Sequence, residues 1–154
     1  MTIAGRTRIT VSIAALAAAG ACLAAAGTAQ ALVPNYPATI EMRITNGSAQ
    51  TLYLQGSDNP YGDWIVSPKT ALGPGETETV SASTWRNGGF GLDVTYGTGA
   101  NTTAVFMANN YAGATDTDGT RIDGPNASHF DIQSSIDTGA PDMSANYLIL
   151  PPLR

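Results

Sequence analysis

From Ile40 onward, the chain consists of short runs in which apolar residues recur at every second position. The clearest run covers residues 90–96, where Asp93 and Thr95 fall on the polar side. Residues 40–45 repeat the same alternation. A period of two is typical of a strand with one buried face. In the clearest run, four side chains are therefore predicted to point into a core: Phe90, Leu92, Val94 and Tyr96.

Turn signals separate these runs. Asn46-Gly47, Gly73-Pro74-Gly75 and Asn87-Gly88-Gly89 are combinations that favour tight turns. Beyond the leader described next, no segment shows a convincing helical period. About seven or eight short strands at regular spacing predict an all-β fold, a single-domain antiparallel β-sandwich. The polar run 76–83 is expected at a sheet edge, and 112–127 is expected to form a surface loop or hairpin tip.

The first 31 residues have the composition of a secretory signal peptide. Arg6 and Arg8 precede an apolar, alanine-rich run, Ile13–Gly27, and Ala29-Gln30-Ala31 forms a small-x-small cleavage site. The run is shorter than the ~20 residues that span a bilayer. We therefore expect residues 1–31 to be removed, leaving residues 32–154 as one secreted, extracellular domain; the composition suggests a bacterial source.

The single cysteine, Cys22, lies inside this apolar run. A lipoprotein would be cleaved just before such a cysteine, but Ala19 stands where those sites usually have leucine. If the mature chain begins at Leu32, it contains no cysteine and no disulfide, so its stability comes from its core.

The charge balance restricts the partners. Of the seven basic residues, Arg6 and Arg8 fall in the leader, which leaves five against twelve acidic residues. A chain this acidic, with no clustered basic residues, is an unlikely match for nucleic acid or a strongly anionic membrane. A neutral or zwitterionic surface remains open.

Catalytic groups are sparse. His129 is the only histidine, and it is expected on the exposed side of a strand, with no nucleophile elbow elsewhere in the sequence. We therefore expect no enzyme. The alternative is a secreted hydrolase or carbohydrate-active module that uses carboxylates such as Asp63, Asp93 or Asp131, which would require two acids facing each other across a groove.

No cofactor or metal is expected from the motifs. Asp116, Asp118 and Asp123 could gather oxygen atoms around calcium, but their spacing differs from that of the helix–loop–helix calcium motif. Solvated carboxylates in a Gly/Asp/Thr loop are the simpler interpretation. No His/Cys pattern indicates zinc.

Aromatic residues beside turns offer a binding hypothesis. Tyr61 and Trp64 flank Gly62-Asp63, and Trp85 precedes a polar, glycine-rich turn. Tyrosine and tryptophan suit an interface between water and an apolar surface, such as lipid headgroups or a sugar face. Core packing is the competing interpretation, and it is stronger for Trp64 than for Trp85.

The order of these motifs resembles the aegerolysin group, including related small bacterial crystal proteins. The resemblance covers roughly residues 40–113 and rests on the following motifs in sequence: Ile44-Thr45-Asn46-Gly47-Ser48, the strand Thr51–Leu54, Gly62-Asp63-Trp64, Ser67-Pro68, Leu72-Gly73-Pro74-Gly75-Glu76, Ser81–Ser83, Gly89-Phe90-Gly91, and Asn109-Asn110-Tyr111-Ala112-Gly113.

The resemblance implies an acidic, non-enzymatic β-sandwich. Some members of the group bind membrane lipids, and some form pores together with a second, larger protein, so a toxin-like role with a protein partner is one implication. The predicted signal peptide and the unmatched C-terminal third depart from the pattern and weaken the cytolytic implication. No lipid-contact residue transfers by alignment. A secreted lipid-binding protein is thus the leading hypothesis, and a structural surface protein is a further alternative.

Overall fold

The computed structural model describes residues 38–99 and 101–151. The predicted leader, its cleavage site and Cys22 lie outside these residues. The described part of the chain contains no helix with the length and apolarity needed to cross a membrane. Within residues 38–99 and 101–151, one 3₁₀ turn, Ala127–His129, interrupts the strands and their connections.

Eleven strands form in the described ranges, several of them short. Their bounds are β1 (Ala38–Asn46), β2 (Leu52–Asp58), β3 (Asp63–Val66), β4 (Ala71–Leu72), β5 (Thr77–Thr84), β6 (Gly89–Gly99), β7 (Thr102–Tyr111), β8 (Ala114–Asp116), β9 (Arg121–Asp123), β10 (Asp131–Thr138) and β11 (Asp142–Leu150).

The strands form two sheets. The first has the order β10-β11-β1-β5-β3, and the second has the order β4-β2-β6-β7-β8, with β9 also paired to β7. The two sheets enclose one apolar core, as a β-sandwich requires. The predicted all-β sandwich is confirmed.

The core confirms the predicted alternation in β6. Phe90, Val94 and Tyr96 are fully buried and Leu92 is 2% exposed, whereas Asp93 and Thr95 are half-buried on the other face. The sandwich interior adds aromatic edge-to-face packing, because the ring centroids of Phe106 and Tyr147 lie 5.7 Å apart.

One detail of the predicted topology was wrong: the run 76–83 is not an edge strand, because β5 lies between β1 and β3. Among the described strands the pairing is antiparallel except between β1 and β11, which run parallel. The segment after Asn46-Gly47 does not fold back on β1, because β1 and β2 belong to different sheets.

Asn46 holds the chain where it crosses from one sheet to the other. Its buried side-chain amide donates to the carbonyl oxygens of Gln50 (2.8 Å) and Leu72 (2.9 Å), and its Oδ1 accepts from the Ser48 hydroxyl (2.7 Å). These bonds satisfy backbone groups at the crossing from one sheet to the other, where no strand partner is available.

Buried polar contacts explain how an acidic residue of β5 can lie inside the sandwich. Glu78 is 4% exposed, and its carboxylate accepts from the Tyr96 hydroxyl (2.6 Å) and from the Lys69 backbone N–H (2.8 Å). An acidic residue in a polar run would otherwise favour a solvated edge. The segment 112–127, predicted as a loop or hairpin tip, contains the short strands β8 and β9.

Candidate functional site

Several loops meet at one end of the sandwich, which we call the aromatic end and define by Tyr61, Trp85 and Tyr111. The start of β1 lies beside the end of β5, and the start of β6 lies beside the end of β7. The side-chain amide of Asn110 joins the two sheets here, because it donates to the carbonyl oxygens of Thr39 (2.8 Å) and Pro141 (2.7 Å).

Tyr61 and Trp85 share an open cleft at this end. The cleft has a volume of about 340 Å³ and is lined by residues 60–63 and 84–86. Tyr61 is 52% exposed and Trp85 is 66% exposed. The two loops are far apart in the sequence, so the fold brings together two of the three aromatic residues proposed for binding.

Hydrogen bonds hold the two loops together. The Thr84 hydroxyl donates to the carbonyl oxygen of Tyr61, and the backbone N–H of Arg86 donates to the Thr84 hydroxyl (3.2 Å). The Arg86 guanidinium carbon lies 4.2 Å from the centroid of the Tyr61 ring, which is a cation–π contact. These contacts fix the Tyr61 loop and its ring against the end of β5, next to Trp85.

Gly62 is required for this close approach. A Cβ atom at this position would lie 2.7 Å from the Ser83 carbonyl oxygen and 2.7 Å from the Asn59 side chain. Any side chain at Gly62 would therefore push the Tyr61 loop away from β5. The neighbouring Ser83 is fully buried, and its hydroxyl has no hydrogen-bond partner in the described structure.

Tyr111 was not singled out as a binding candidate by the sequence, yet it lies at the same end. It is the last residue of β7, is 40% exposed, and pairs with Gly89 at the start of β6. Its only sequence signal was a position just before the turn Ala112-Gly113. The sequence around a single tyrosine before a turn does not indicate at which end of the sandwich the tyrosine lies.

Trp64, the third proposed aromatic residue, has a different setting. It lies in β3 opposite Ala82 and is partly buried against the hydrophobic core. This packing agrees with the core interpretation of Trp64. Any contribution of Trp64 to binding remains a prediction.

The three carboxylates of the hydrolase alternative are not assembled. Asp63 pairs with Ser83 at the aromatic end, whereas Asp131 pairs with Leu150 at the other end of the same sheet. The nine residues of β11 between these levels make eight steps, which separate the two carboxylates by roughly 26 Å along the strand. Asp93 lies on the outer face of the other sheet. Paired glycosidase carboxylates lie within about 10 Å of each other.

The proposed calcium ligands are also dispersed. Asp116 pairs with Asn109 near the end of β7, whereas Asp123 pairs with Thr103 near its start, roughly 20 Å away along the strand. Asp116 accepts from the Asn109 side chain (2.7 Å), and Asp123 forms a 2.8 Å ion pair with Arg121. In residues 38–99 and 101–151, no three acidic, histidine or cysteine side chains are grouped as a metal site.

His129 is exposed, as expected, but it lies in the 3₁₀ turn rather than in a strand. The turn lies at the end of the sandwich opposite the aromatic end, beside the start of β10. His129 is therefore remote from Tyr61 and Trp85.

Three groups in the described residues have clearly shifted pKa values, and each shift has a cause in the fold. Burial, with the Asp58 carboxylate opposite, raises the pKa of Asp93, while Arg121 acts in the other direction. Burial also raises the pKa of the Tyr96 and Tyr147 hydroxyls, so both remain protonated donors at neutral pH. None of these groups lines the cleft at the aromatic end.

Comparison with known proteins identifies the fold class. No family model matches the chain, and no curated protein matches it by sequence. Among solved structures, the lipid binding protein Nakanori superposes with a TM-score of 0.56 at 11% identity, covering 73% of this chain and 71% of Nakanori. IP-1A from Alcaligenes faecalis superposes with a TM-score of 0.50 at 9% identity, covering 75% of this chain and 92% of IP-1A.

At these identities the similarity establishes a shared β-sandwich fold. The chain is thus an all-β sandwich related in fold to Nakanori, which is a lipid-binding protein, and to IP-1A. The sequence resemblance to aegerolysins is supported at the level of fold.

Proposed function

We propose that the chain is a secreted, non-enzymatic protein that binds a zwitterionic or neutral lipid surface through its aromatic end. The observation that carries this proposal is the shared cleft of Tyr61 and Trp85, two strongly exposed aromatic side chains held side by side by distant parts of the sequence. The fold relationship to a lipid-binding protein supports it.

The chemistry of the two side chains fits a membrane interface. Tryptophan and tyrosine combine an apolar ring with one polar group, so they prefer the headgroup region to either water or the hydrocarbon core. The strands fix the loops from which both rings project. This preorganisation lowers the entropy lost on binding.

The charges of the site favour a target without net charge. Arg86 and Asp63 line the same cleft and do not form an ion pair with each other. One cationic and one anionic group can face the two charges of a zwitterionic headgroup. The acidic balance of the whole chain disfavours anionic lipids at long range.

Co-sedimentation with liposomes tests this function. The secreted chain is mixed with vesicles of phosphatidylcholine alone, or of phosphatidylcholine with phosphatidylserine, at low and high salt. We expect binding to phosphatidylcholine that persists as salt rises, because the contact is mainly apolar. Added phosphatidylserine should not strengthen it.

Two variants locate the surface. Trp85→Ala should weaken binding by roughly 30-fold, which corresponds to the loss of about 2 kcal/mol from a central aromatic anchor. Tyr53→Ala is the matched control. Tyr53 is 62% exposed, but it lies near the start of β2, at the end of the sandwich opposite the aromatic end. Circular dichroism checks that both variants are folded.

The outcomes separate the hypotheses. If the wild type sediments with no vesicle composition, the lipid proposal is wrong and a structural surface protein becomes the better hypothesis. If Tyr53→Ala loses binding and Trp85→Ala does not, the membrane contact lies on the sheet face rather than at the aromatic end.

A further inference from the structure

A second cavity lies at the end of the sandwich opposite Tyr61 and Trp85. Its volume is about 190 Å³. It is formed where the crossing after β1, the end of β6, the 3₁₀ turn and the end of β11 come together. The residues that matter for its chemistry are Ser48, Gln50, Thr98, Asn126, His129 and Phe130.

The hydroxyls of two polar lining residues already form hydrogen bonds within the fold. Ser48 is 5% exposed, and its hydroxyl donates to the Asn46 side-chain oxygen (2.7 Å). Thr98 is 2% exposed, and its hydroxyl donates to the Thr102 carbonyl oxygen (3.1 Å). These bonds fix the wall of the cavity.

The other three polar side chains form no hydrogen bond within the described structure. Gln50 and His129 are exposed and Asn126 is half-buried, so all three lie at the mouth of the cavity. Asn126 is the informative case, because it precedes the 3₁₀ turn at a position where asparagine usually caps the backbone, yet its side chain forms no capping bond. Three hydrogen-bonding side chains thus surround the cavity with free donors and acceptors.

The remaining lining residues are apolar, and one of them, Phe130, is aromatic. Phe130 lines the cavity and is partly buried against the hydrophobic core, which fixes its position. Among the described residues, no aspartate, glutamate, lysine or arginine lines the cavity. A cationic ligand would therefore lose its hydration without gaining a counter-charge, and an anionic ligand would meet only the imidazole of His129.

We propose that this cavity binds one uncharged sugar ring, such as the terminal residue of a glycan. The amides of Gln50 and Asn126 can each donate and accept, which matches the paired donor and acceptor character of sugar hydroxyls. The C–H face of a sugar ring suits contact with an aromatic wall such as Phe130. The volume lies below the roughly 300–1,000 Å³ of sites for drug-sized ligands, so the site takes one ring rather than an extended chain.

The inference is independent of the lipid proposal, because the two sites lie at opposite ends of the sandwich. A chain with both sites could join a glycan to a lipid surface. Loss of one activity should leave the other unchanged.

Two-dimensional ¹H–¹⁵N NMR of the labelled secreted chain tests the proposal. The probes are the methyl glycosides of glucose, galactose, mannose and N-acetylglucosamine, each titrated into the millimolar range. At least one should give saturable shifts in the backbone and side-chain amide signals of Gln50 and Asn126. Trp85→Ala should bind the same glycoside with unchanged affinity.

Variants assign the site. Gln50→Ala and Asn126→Ala should each weaken binding roughly three- to tenfold, as expected for the loss of a hydrogen bond or two. Gln133→Ala is the matched control, because Gln133 is exposed on β10 and does not line the cavity. The Asn126 backbone N–H bond to Thr102 (3.1 Å) does not involve the deleted amide, so folding should be retained.

Three results would overturn the proposal. These are the absence of saturable shifts with every glycoside, shifts confined to residues outside the cavity, and equal binding by Gln50→Ala, Asn126→Ala and Gln133→Ala.

Discussion

Replacing Tyr96 with phenylalanine should destabilise the fold more than the same replacement at Tyr147. Both side chains are buried, with 0% and 1% exposure, and each substitution deletes one hydroxyl. The Tyr96 hydroxyl lies 2.6 Å from Glu78 Oε1 and 2.8 Å from the Lys69 carbonyl oxygen. The Tyr147 hydroxyl donates to the Met107 carbonyl oxygen at 2.6 Å. The two variants therefore differ chiefly in the charge of the acceptor.

The expected magnitudes follow from this difference. A hydrogen bond to a charged group contributes about 1.5–3 kcal/mol, and one to a neutral group about 0.5–1.5 kcal/mol. Without the Tyr96 hydroxyl, the buried Glu78 carboxylate retains only the Lys69 backbone N–H among its described hydrogen bonds. We expect Tyr96→Phe to cost about 2–3 kcal/mol and Tyr147→Phe about 1 kcal/mol.

Urea unfolding of the two variants and the wild type measures both values, with m-values compared to confirm that each transition is of the same kind. Equal losses for Tyr96→Phe and Tyr147→Phe, or a loss below about 1 kcal/mol at Tyr96, would refute the idea that the Glu78 carboxylate makes this contact stronger.

Three further predictions address the core, the titration of an acidic pair and the leader. Leu92→Ala should cost about 2–5 kcal/mol and Thr95→Ala well under 1 kcal/mol in the same urea assay, since only the first leaves a cavity; equal costs would mean that the register of β6 is different. Because burial and Asp58 raise the pKa of Asp93 above 3.8 in the folded protein, its ionised form lowers stability at neutral pH. Asp93→Asn should therefore raise the free energy of unfolding at neutral pH, and this gain should disappear as the pH falls through the raised pKa toward 3.8; a destabilised variant at neutral pH would contradict the shift. N-terminal sequencing of the secreted protein should begin at Leu32, and a lipid-modified product that begins at Cys22 would show a lipoprotein instead.

The alternation of apolar residues was sufficient to predict the strands with one buried face. It located β6 and its inward side chains because a period of two needs no knowledge of the partner strand. It could not assign β5 to the sheet interior, since that position depends on the pairing of β3 with β5, as between Asp63 and Ser83, 20 residues apart. Such a contact has no local sequence signature.

The sheet to which each strand belongs could not be predicted either, because it also depends on contacts between distant residues. Asn46-Gly47 reads as a hairpin turn, but the Asn46 side chain bonds to Leu72, 26 residues away, and the chain crosses to the other sheet. Turn propensity describes the local backbone, whereas the crossing is decided by a long-range buried hydrogen bond.

The aromatic end was predictable only in part. Tyr61 and Trp85 were identified because polar and glycine residues surround them, which indicates exposure. Their proximity depends on how β5 joins the two loops, and Tyr111 joins the same end through the pairing of β6 with β7. The cavity beside Gln50 and Asn126 was not predicted, because its wall comes from four separate segments.

The most direct test of the central claim is the fluorescence of Trp85 on phosphatidylcholine vesicles. Trp64→Phe leaves Trp85 as the one tryptophan of the chain, so all of the indole emission then reports the aromatic end. We predict that vesicles shift this emission to shorter wavelength and that phosphatidylcholine with brominated acyl chains quenches it, because the ring enters the interface between water and lipid. Unchanged, unquenched emission at vesicle concentrations that sediment the protein would contradict the proposal that Trp85 makes the membrane contact.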